Sequence, residues 1–483
     1  MVPGESSPSP ARDEPMNRSA FALAVALFVA APLGAQDALR DDAATALKKA
    51  TNYYHAKLAK HGGYVYYTSD DLKQRWGEGK ADDATIFVQP PATPTVGLAF
   101  LRAYEATGDP AALDAARDAA EALVSGQLKS GGWTQTIHFG PAQRLGMYRN
   151  GKGGNWNASS LDDGQTQAAL QFLAQLDVAL KFQHAAIHEA AIYGYDALLK
   201  AQFLNGAFPQ IWRGPVEPQP ALKAKFPDYD WKTEGRVKNY WDYYTLNDGL
   251  TGSVYKTLAI AHKIYGEEKY QVAIEKLGDF LIAAQMPDPQ PGWCQQYNYK
   301  MVPIWARKFE PSAITASEGQ DVLETLIAIA RSTGKAKYLE PVPRALEYYK
   351  TCVLPDGKVA RYYEFKTNKP LYMDAAYQLT YDDKSAPTHY GWKQPAHFGE
   401  IEKEYEDAKS NAPPPKPRSA KSLEAAVRKI VADLDAEYRW VSVYAGESLV
   451  GQPKFAAGFR YLSSGVFSRN VETLSEYFVA SKP

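Results

Sequence analysis

The chain has 483 residues, of which 45% are hydrophobic and 23% charged. This composition excludes a mainly disordered or collagen-like chain and leaves enough length for a sizeable core. Its 54 Lys and Arg against 55 Asp and Glu give a net charge of −1, which argues against a globally basic nucleic-acid binder, and its two cysteines exclude a disulfide-rich scaffold or a four-cysteine zinc site. Aromatic residues make up 12% of the chain, with 32 Tyr, 10 Trp and 18 Phe. Amphipathic rings suit sugar surfaces, and they suit ordinary packing equally.

Residues 17–35 carry a basic Arg18, an apolar run from Ala20 to Ala31 and a small-residue exit at Leu33-Gly34-Ala35. This pattern is that of a secretory signal peptide cleaved after Ala35, with Met16 a candidate true start. No later segment has the uninterrupted apolar length of a membrane span. A secreted or periplasmic protein is therefore expected, in which Cys294 and Cys352 have the chance to pair.

From about residue 95 a helix-pair pattern repeats. Apolar residues recur at helical spacing over 96–107 and 111–127, then 170–182 and 188–202, then 258–266 and 269–285, then 326–334 and 338–352. Gly132, Ala207, Gly292 and Gly357 mark equivalent points. Turns inside each pair are short, whereas the connections between pairs, roughly 126–160, 202–246, 286–316 and 355–400, are long. In stacked antiparallel pairs, alternate connections lie at opposite ends. The long loops should therefore share one face, where function is usually placed. They hold 19 Lys and Arg against 13 Asp and Glu. An anionic ligand at this face would explain that excess, and so would simple solvation. The expected architecture is all-α: an (α/α) toroid or incomplete barrel, with short β pieces and long loops on one face. Residues 36–483 are read as one domain, with a core of about 95–400 and a helical C-terminal extension interrupted by PPPKP at 413–417.

Three repeat helices open on carboxylates: Asp162-Asp163-Gly164, Asn247-Asp248-Gly249 and Ser317-Glu318-Gly319. Helix capping accounts for each one singly. Together, at one mouth, they could also offer oxygens to a hard cation such as calcium. There is no EF-hand loop and no zinc-spaced His/Cys cluster. The densest run is 292–312, where Trp293, Tyr297, Tyr299, Trp305 and Phe309 interleave with Lys300, Arg307, Lys308 and Glu310. Such a mixture suits sugar stacking and carboxylate binding, or a packed loop with Glu310–Arg pairs.

The run WARKFEP (305–311), with QQYN (295–298), FPQ (208–210), TLND (245–248), DDGQT (162–166) and ARYYEFKTNKP (360–370), resembles the pectate lyases of polysaccharide lyase family ten over roughly residues 100–395. The resemblance implies calcium-dependent β-elimination on polygalacturonate, an acidic polysaccharide. A monomer is expected, and charge and hydropathy leave no nucleic-acid partner and no membrane span in the mature protein. It implies Arg307 as catalytic base and Asp248 as calcium ligand. It implies substrate binding by Asp162, Asp163, Thr166 and Arg361, with Trp305, Lys308 and Lys369 beside them. Many relatives place a further substrate-binding Arg where this chain has Ala375, and Lys369 or Lys384 would have to compensate. Two rival readings remain at this point. A toroid glycoside hydrolase would use Asp162 and Asp248 as its carboxyl pair, and a catalytically inactive scaffold would bind uronates without turnover.

Overall fold

The computed structural model describes residues 33–140 and 145–482. The apolar run at 20–31 lies outside the described residues, and the expected cleavage point at Ala35 falls in the first turn of helix α1 (Leu33–Leu58). Among the described residues no helix is long and apolar enough to cross a membrane.

The helix pairs are α2 (Thr93–Thr107) with α3 (Pro110–Ser125), α4 (Gln165–Ala179) with α5 (Ala185–Lys200), α6 (Leu250–Tyr265) with α7 (Glu268–Ala284), and α8 (Ala316–Thr333) with α9 (Val342–Lys350). They are followed by α10 (Phe398–Lys409), α11 (Ala420–Ala432) and α12 (Ser464–Ala480). The first hairpin shows how the sequence makes a tight pair. Gly108 takes φ 74° and returns its N–H to the Tyr104 carbonyl, while the Asp109 side chain accepts from the Ala111 N–H ahead of Pro110. A left-handed glycine ends one helix, and an Asp-Pro start begins the next.

Helices α2, α4, α6 and α8 line the inside of an arc, each packed on the next, and α3, α5, α7 and α9 cover them from outside. Helix α10 continues the arc beyond α8, and α12 lies along α2 at the other end, with α1 and α11 against its outer side. The C-terminal segment is thus part of the arc rather than an extension of it. The arc is mostly helical and is not closed as a barrel, because its end helices α10 and α12 do not pack as neighbours.

Each unit also closes on itself through two short strands. The strand before each inner helix pairs antiparallel with the strand after the outer helix of the same pair: 85–87 with 136–138, 159–160 with 211–212, 244–245 with 296–297, and 314–315 with 362–363. These ladders gather the long loops at one mouth, as the asymmetry of the connections predicts. A five-stranded sheet joins 67–69, 75–76 and 80–81 to 441–443 and 460–463. It brings the two ends of the chain to the same region.

Buried tryptophans fix the loop starts. Trp133 donates its indole N–H to the Leu123 carbonyl, and Trp293 donates to that of Leu281, both at 2.8 Å. Each ties the loop after an outer helix to the end of that helix. Cys294 and Cys352 are both buried and free, so the possible pairing is not made.

The loop after α5 passes very close to α7. Gly206 has φ 94°, and a Cβ there would stand 1.8 Å from the Lys276 carbonyl oxygen. Gly206→Ala therefore combines a disfavoured backbone with a backbone clash and should cost more than about 2 kcal/mol. Chemical denaturation would measure it; a loss below 0.5 kcal/mol would show that the loop can shift away.

Candidate active site

Two of the three carboxylate turns share one backbone shape. Residues 162–164 and 247–249 each form a single 3-10 turn ahead of an inner helix. Asp163 sits at φ 46°, ψ 29° and Asp248 at φ 52°, ψ 36°, each followed by a glycine in the same left-handed region. A non-glycine residue there costs of order 1 kcal/mol, though Asp tolerates it better than most. The two turns touch. Oxygens of Asp162, Asp163 and Asp248 lie within 4.8 Å of one another, next to the N-termini of α4 and α6. Helix N-termini favour negative charge, which holds part of this cluster ionised.

The third helix start differs. Helix α8 runs straight on from Thr315, and Glu318 is buried inside its first turn. It does not join the aspartates but supports them from behind. Arg361 Nη2 donates to Glu318 at 2.8 Å and to Asp248 Oδ1 at 2.7 Å, and its guanidinium lies 4.4 Å from the Tyr390 ring centre. Gln295 Nε2 ties Asn247 to Glu318, at 2.9 Å to each. Arg307 Nη2 donates to the buried Glu310 at 2.5 Å and reaches the other oxygen of Asp248 at 3.4 Å. Asp248 is therefore held between two arginines, each anchored on a buried glutamate.

Charges in this cluster do not balance. Five carboxylates (Asp162, Asp163, Asp248, Glu310 and Glu318) face two guanidinium groups. Burial raises the Asp163 carboxyl to about 7, and the negative neighbours Asp162, Asp248 and Glu78 push it the same way. Burial also raises Asp162, partly countered by Arg307. Both arginines remain charged. Burial works against the charge on Arg307, but Glu310, Asp248 and Asp162 outweigh it and hold the group above its ordinary value. Glu318 does the same for Arg361.

Three hard oxygen donors at one mouth, with the Asp163 carboxyl raised first by burial and then by its acidic neighbours, are a donor set that suits a hard divalent cation. Asp162, Asp163 and Asp248 would hold it. On the far side of Asp163, Gln89 Nε2 donates to Asp163 and to Glu78, at 3.0 Å each. The segment 450–452 completes a cavity of about 510 Å³ there. Gln452 then donates to the His389 carbonyl at 3.0 Å, so this segment bridges two sides of the mouth.

Residues 142–358 match the family model described as pectic acid lyase. That segment is a pectic acid lyase domain. No curated protein matches the sequence. Among solved structures, a family 10 polysaccharide lyase from Cellvibrio cellulosa is 18% identical, with 60% of this chain and 91% of that one covered at a TM-score of 0.45. A mutant of that family 10 lyase in complex with trigalacturonic acid is 18% identical, covering 66% of this chain and 98% of that one at 0.45. Cellobiose 2-epimerase from Spirochaeta thermophila is 13% identical, covering 93% and 98% at 0.47.

The lyase domain contains the three aspartates, Arg307 and both buried glutamates, and ends before Arg361. The structure gathers most of the residues singled out in the sequence, but not all in the expected roles. Thr166 is not open to a ligand: it is fully buried, and its hydroxyl is spent on the Trp133 backbone, accepting from N–H at 3.0 Å and donating to C=O at 3.2 Å. Trp305 gives its indole N–H to the Arg307 carbonyl at 3.0 Å, so it positions the loop that carries Arg307. Arg361 is 6% exposed and braces Asp248 through Nη2. Lys369 is exposed at the end of the 362–373 hairpin, with its ammonium 5.2 Å from the Tyr381 ring centre and no contact to the aspartates. Lys384 reaches only Asp382, at 4.0 Å. Neither lysine stands in for an arginine at Ala375. Lys308 is better placed, with its ammonium 3.6 Å from the ring centre of Tyr377, two residues along the same turn.

Gln89 and Glu78 were not found from sequence, because they lie outside the helix repeats and outside any motif. Asp163 gives the sharpest test of the cluster. Its folded-state pKa stands above the unfolded value, so the folded protein binds more protons and loses stability as pH rises from about 4 to about 7. Asp163→Asn removes this cost. Without added metal at pH 8, the variant should melt about 1–2 °C higher than the parent. It should also lose most of the calcium-induced rise in melting temperature. An unchanged calcium response in a thermal scan would remove Asp163 from the site.

Proposed function

We propose that this polysaccharide lyase is a calcium-dependent pectate lyase that cleaves α-1,4-linked polygalacturonate by β-elimination. The observation that carries the reading is the union, at one mouth, of the three-aspartate cluster with Arg307. A cation held by Asp162, Asp163 and Asp248 would neutralise the uronate carboxylate and acidify the C5 proton beside it.

The chain's own residues then have distinct tasks. Arg361 and Glu318 keep Asp248 oriented. Trp305 and Glu310 hold the loop that presents Arg307: Glu310 accepts from the Arg307 backbone N–H at 3.2 Å as well as from its side chain. Once it has given up its own proton beside the bound cation, Arg307 is the base that takes the C5 proton, as the C4–C5 double bond forms, the C4–O4 bond breaks and the leaving oxygen takes up a proton from solvent. Its proton is retained here by Glu310 and Asp248, so any neutralisation of Asp248 weakens that hold. The same raised pKa favours a second reading of Arg307, as a permanently charged clamp on the uronate carboxylate.

The hydrolase alternative fits less well. Oxygens of Asp162 and Asp248 lie within 4.8 Å, together with those of Asp163, which is too close for an inverting pair at about 6.5–9.5 Å and nearer a retaining pair at about 5–5.5 Å, so the reaction product separates the retaining hydrolase from the lyase. The segment 17–35 supports a further proposal, that the enzyme is exported and acts outside the cell or in the periplasm.

The experiment is ultraviolet absorbance of polygalacturonate incubated with the protein, first with calcium and then with a chelator. A rise that the chelator abolishes is expected, since elimination leaves an unsaturated uronate. New reducing ends without a rise would replace the reading with hydrolysis, and neither signal would leave a binding scaffold.

A further inference from the structure

Beside Arg307 lies a cavity of about 530 Å³, separate from the one at Glu78 and Asp163. Arg236, Val237, Lys238, Tyr240, Ala306, Arg307, Lys308 and Phe309 line it. Four of these side chains are cationic and none is a carboxylate. Arg307 is matched by Glu310 and Asp248. The other three, Arg236, Lys238 and Lys308, are exposed and form no ion pair among the described residues. Of the two acids that flank this stretch, Glu234 is not among the residues that line the cavity, and Asp242 is paired with Arg213 at 3.2 Å. Three unmatched cations around one hollow, in a chain of net charge −1, give the hollow a local positive field that favours an anion.

This is a built arrangement rather than a chance meeting of surface loops. Arg236 bridges in parallel to Trp305, the Val237 N–H donates to the Trp305 carbonyl at 2.9 Å, and the Trp305 N–H returns to Gly235 at 3.3 Å. The same Trp305 holds the Arg307 carbonyl. One tryptophan therefore fixes Arg236 and Arg307 relative to each other. Lys308 is held over the Tyr377 ring, and Tyr240 and Phe309 add ring surface. Guanidinium and ammonium groups beside aromatic rings suit a sugar acid.

We propose that this cavity is a second uronate-carboxylate subsite, in which Arg236 and Lys238, with Lys308, hold the sugar acid adjacent to the one at Arg307. The proposal rests on the pectate lyase reading and adds residues that no motif contains.

The test compares the parent enzyme, the double variant Arg236→Gln with Lys238→Gln, and a control pair of equal charge change on α1, Lys48→Gln with Lys57→Gln. Turnover of polygalacturonate and calorimetric binding of tetragalacturonate are measured with calcium. The cavity variant should raise KM and Kd about five- to tenfold with kcat within twofold, and its binding should depend less on salt. The control pair should match the parent. An active parent with unchanged Kd in the cavity variant overturns the subsite alone, as does an equal loss in the control pair, which would assign the effect to the general surface field. A parent that binds tetragalacturonate but forms no unsaturated product overturns the lyase reading while leaving the subsite open to the same Kd comparison.

Discussion

Asp248 stands at the centre of this molecule's chemistry because two arginines compete for its two oxygens. Arg361 holds one at 2.7 Å from beneath, and Arg307 reaches the other at 3.4 Å from the open side. Each arginine is secured by a glutamate that is almost fully buried. Charged groups this far from water persist only when paired, and breaking such a pair costs about 3–5 kcal/mol. The surroundings reflect that constraint. Gln295, Asn247, Tyr362 and Tyr390 spend their polar atoms on the same network, with Tyr362 donating to Gln295 at 2.8 Å. The site is thus a rigid cradle with a surplus of negative charge at its lip.

The fold explains how such a cradle can be made from residues up to two hundred positions apart. Each β-α-α-β unit returns its chain to the mouth, so three consecutive units deliver Asp162, Asp248 and Glu318 side by side. The first two keep the left-handed Asp-Gly turn. The third replaces it with a continuous helix, and this sends Glu318 into the interior, where it can anchor Arg361. Three repeats therefore supply three lip carboxylates and one supporting carboxylate by a change in a single turn.

Much of this was legible in the sequence, for physical reasons. Helical periodicity and short Gly- or Asp-Pro turns mark the pairs, and the inequality of loop lengths places the mouth. The carboxylates at helix starts are visible as such, and Arg307 stands in a long motif. What the sequence hid depends on non-local packing. Nothing local distinguishes Glu318, which goes inside, from Asp248, which stays at the lip. Thr166 looks like part of a binding motif, yet its neighbour in space is the Trp133 backbone. Arg236 and Lys238 sit in an irregular loop, and only the bridge to Trp305 gives them a place. Helix α12 packs on α2 across more than three hundred residues, a contact no periodicity announces.

The most direct measurement is the turnover and the oligogalacturonate affinity of Arg307→Lys, taken together at saturating calcium. The account predicts a fall in kcat of about a thousandfold or more with Kd within a few-fold, because lysine keeps the charge but cannot keep the geometry of the guanidinium between Glu310, Asp248 and the C5 proton. Near-normal turnover would contradict it, and would move proton removal to another group at the same mouth.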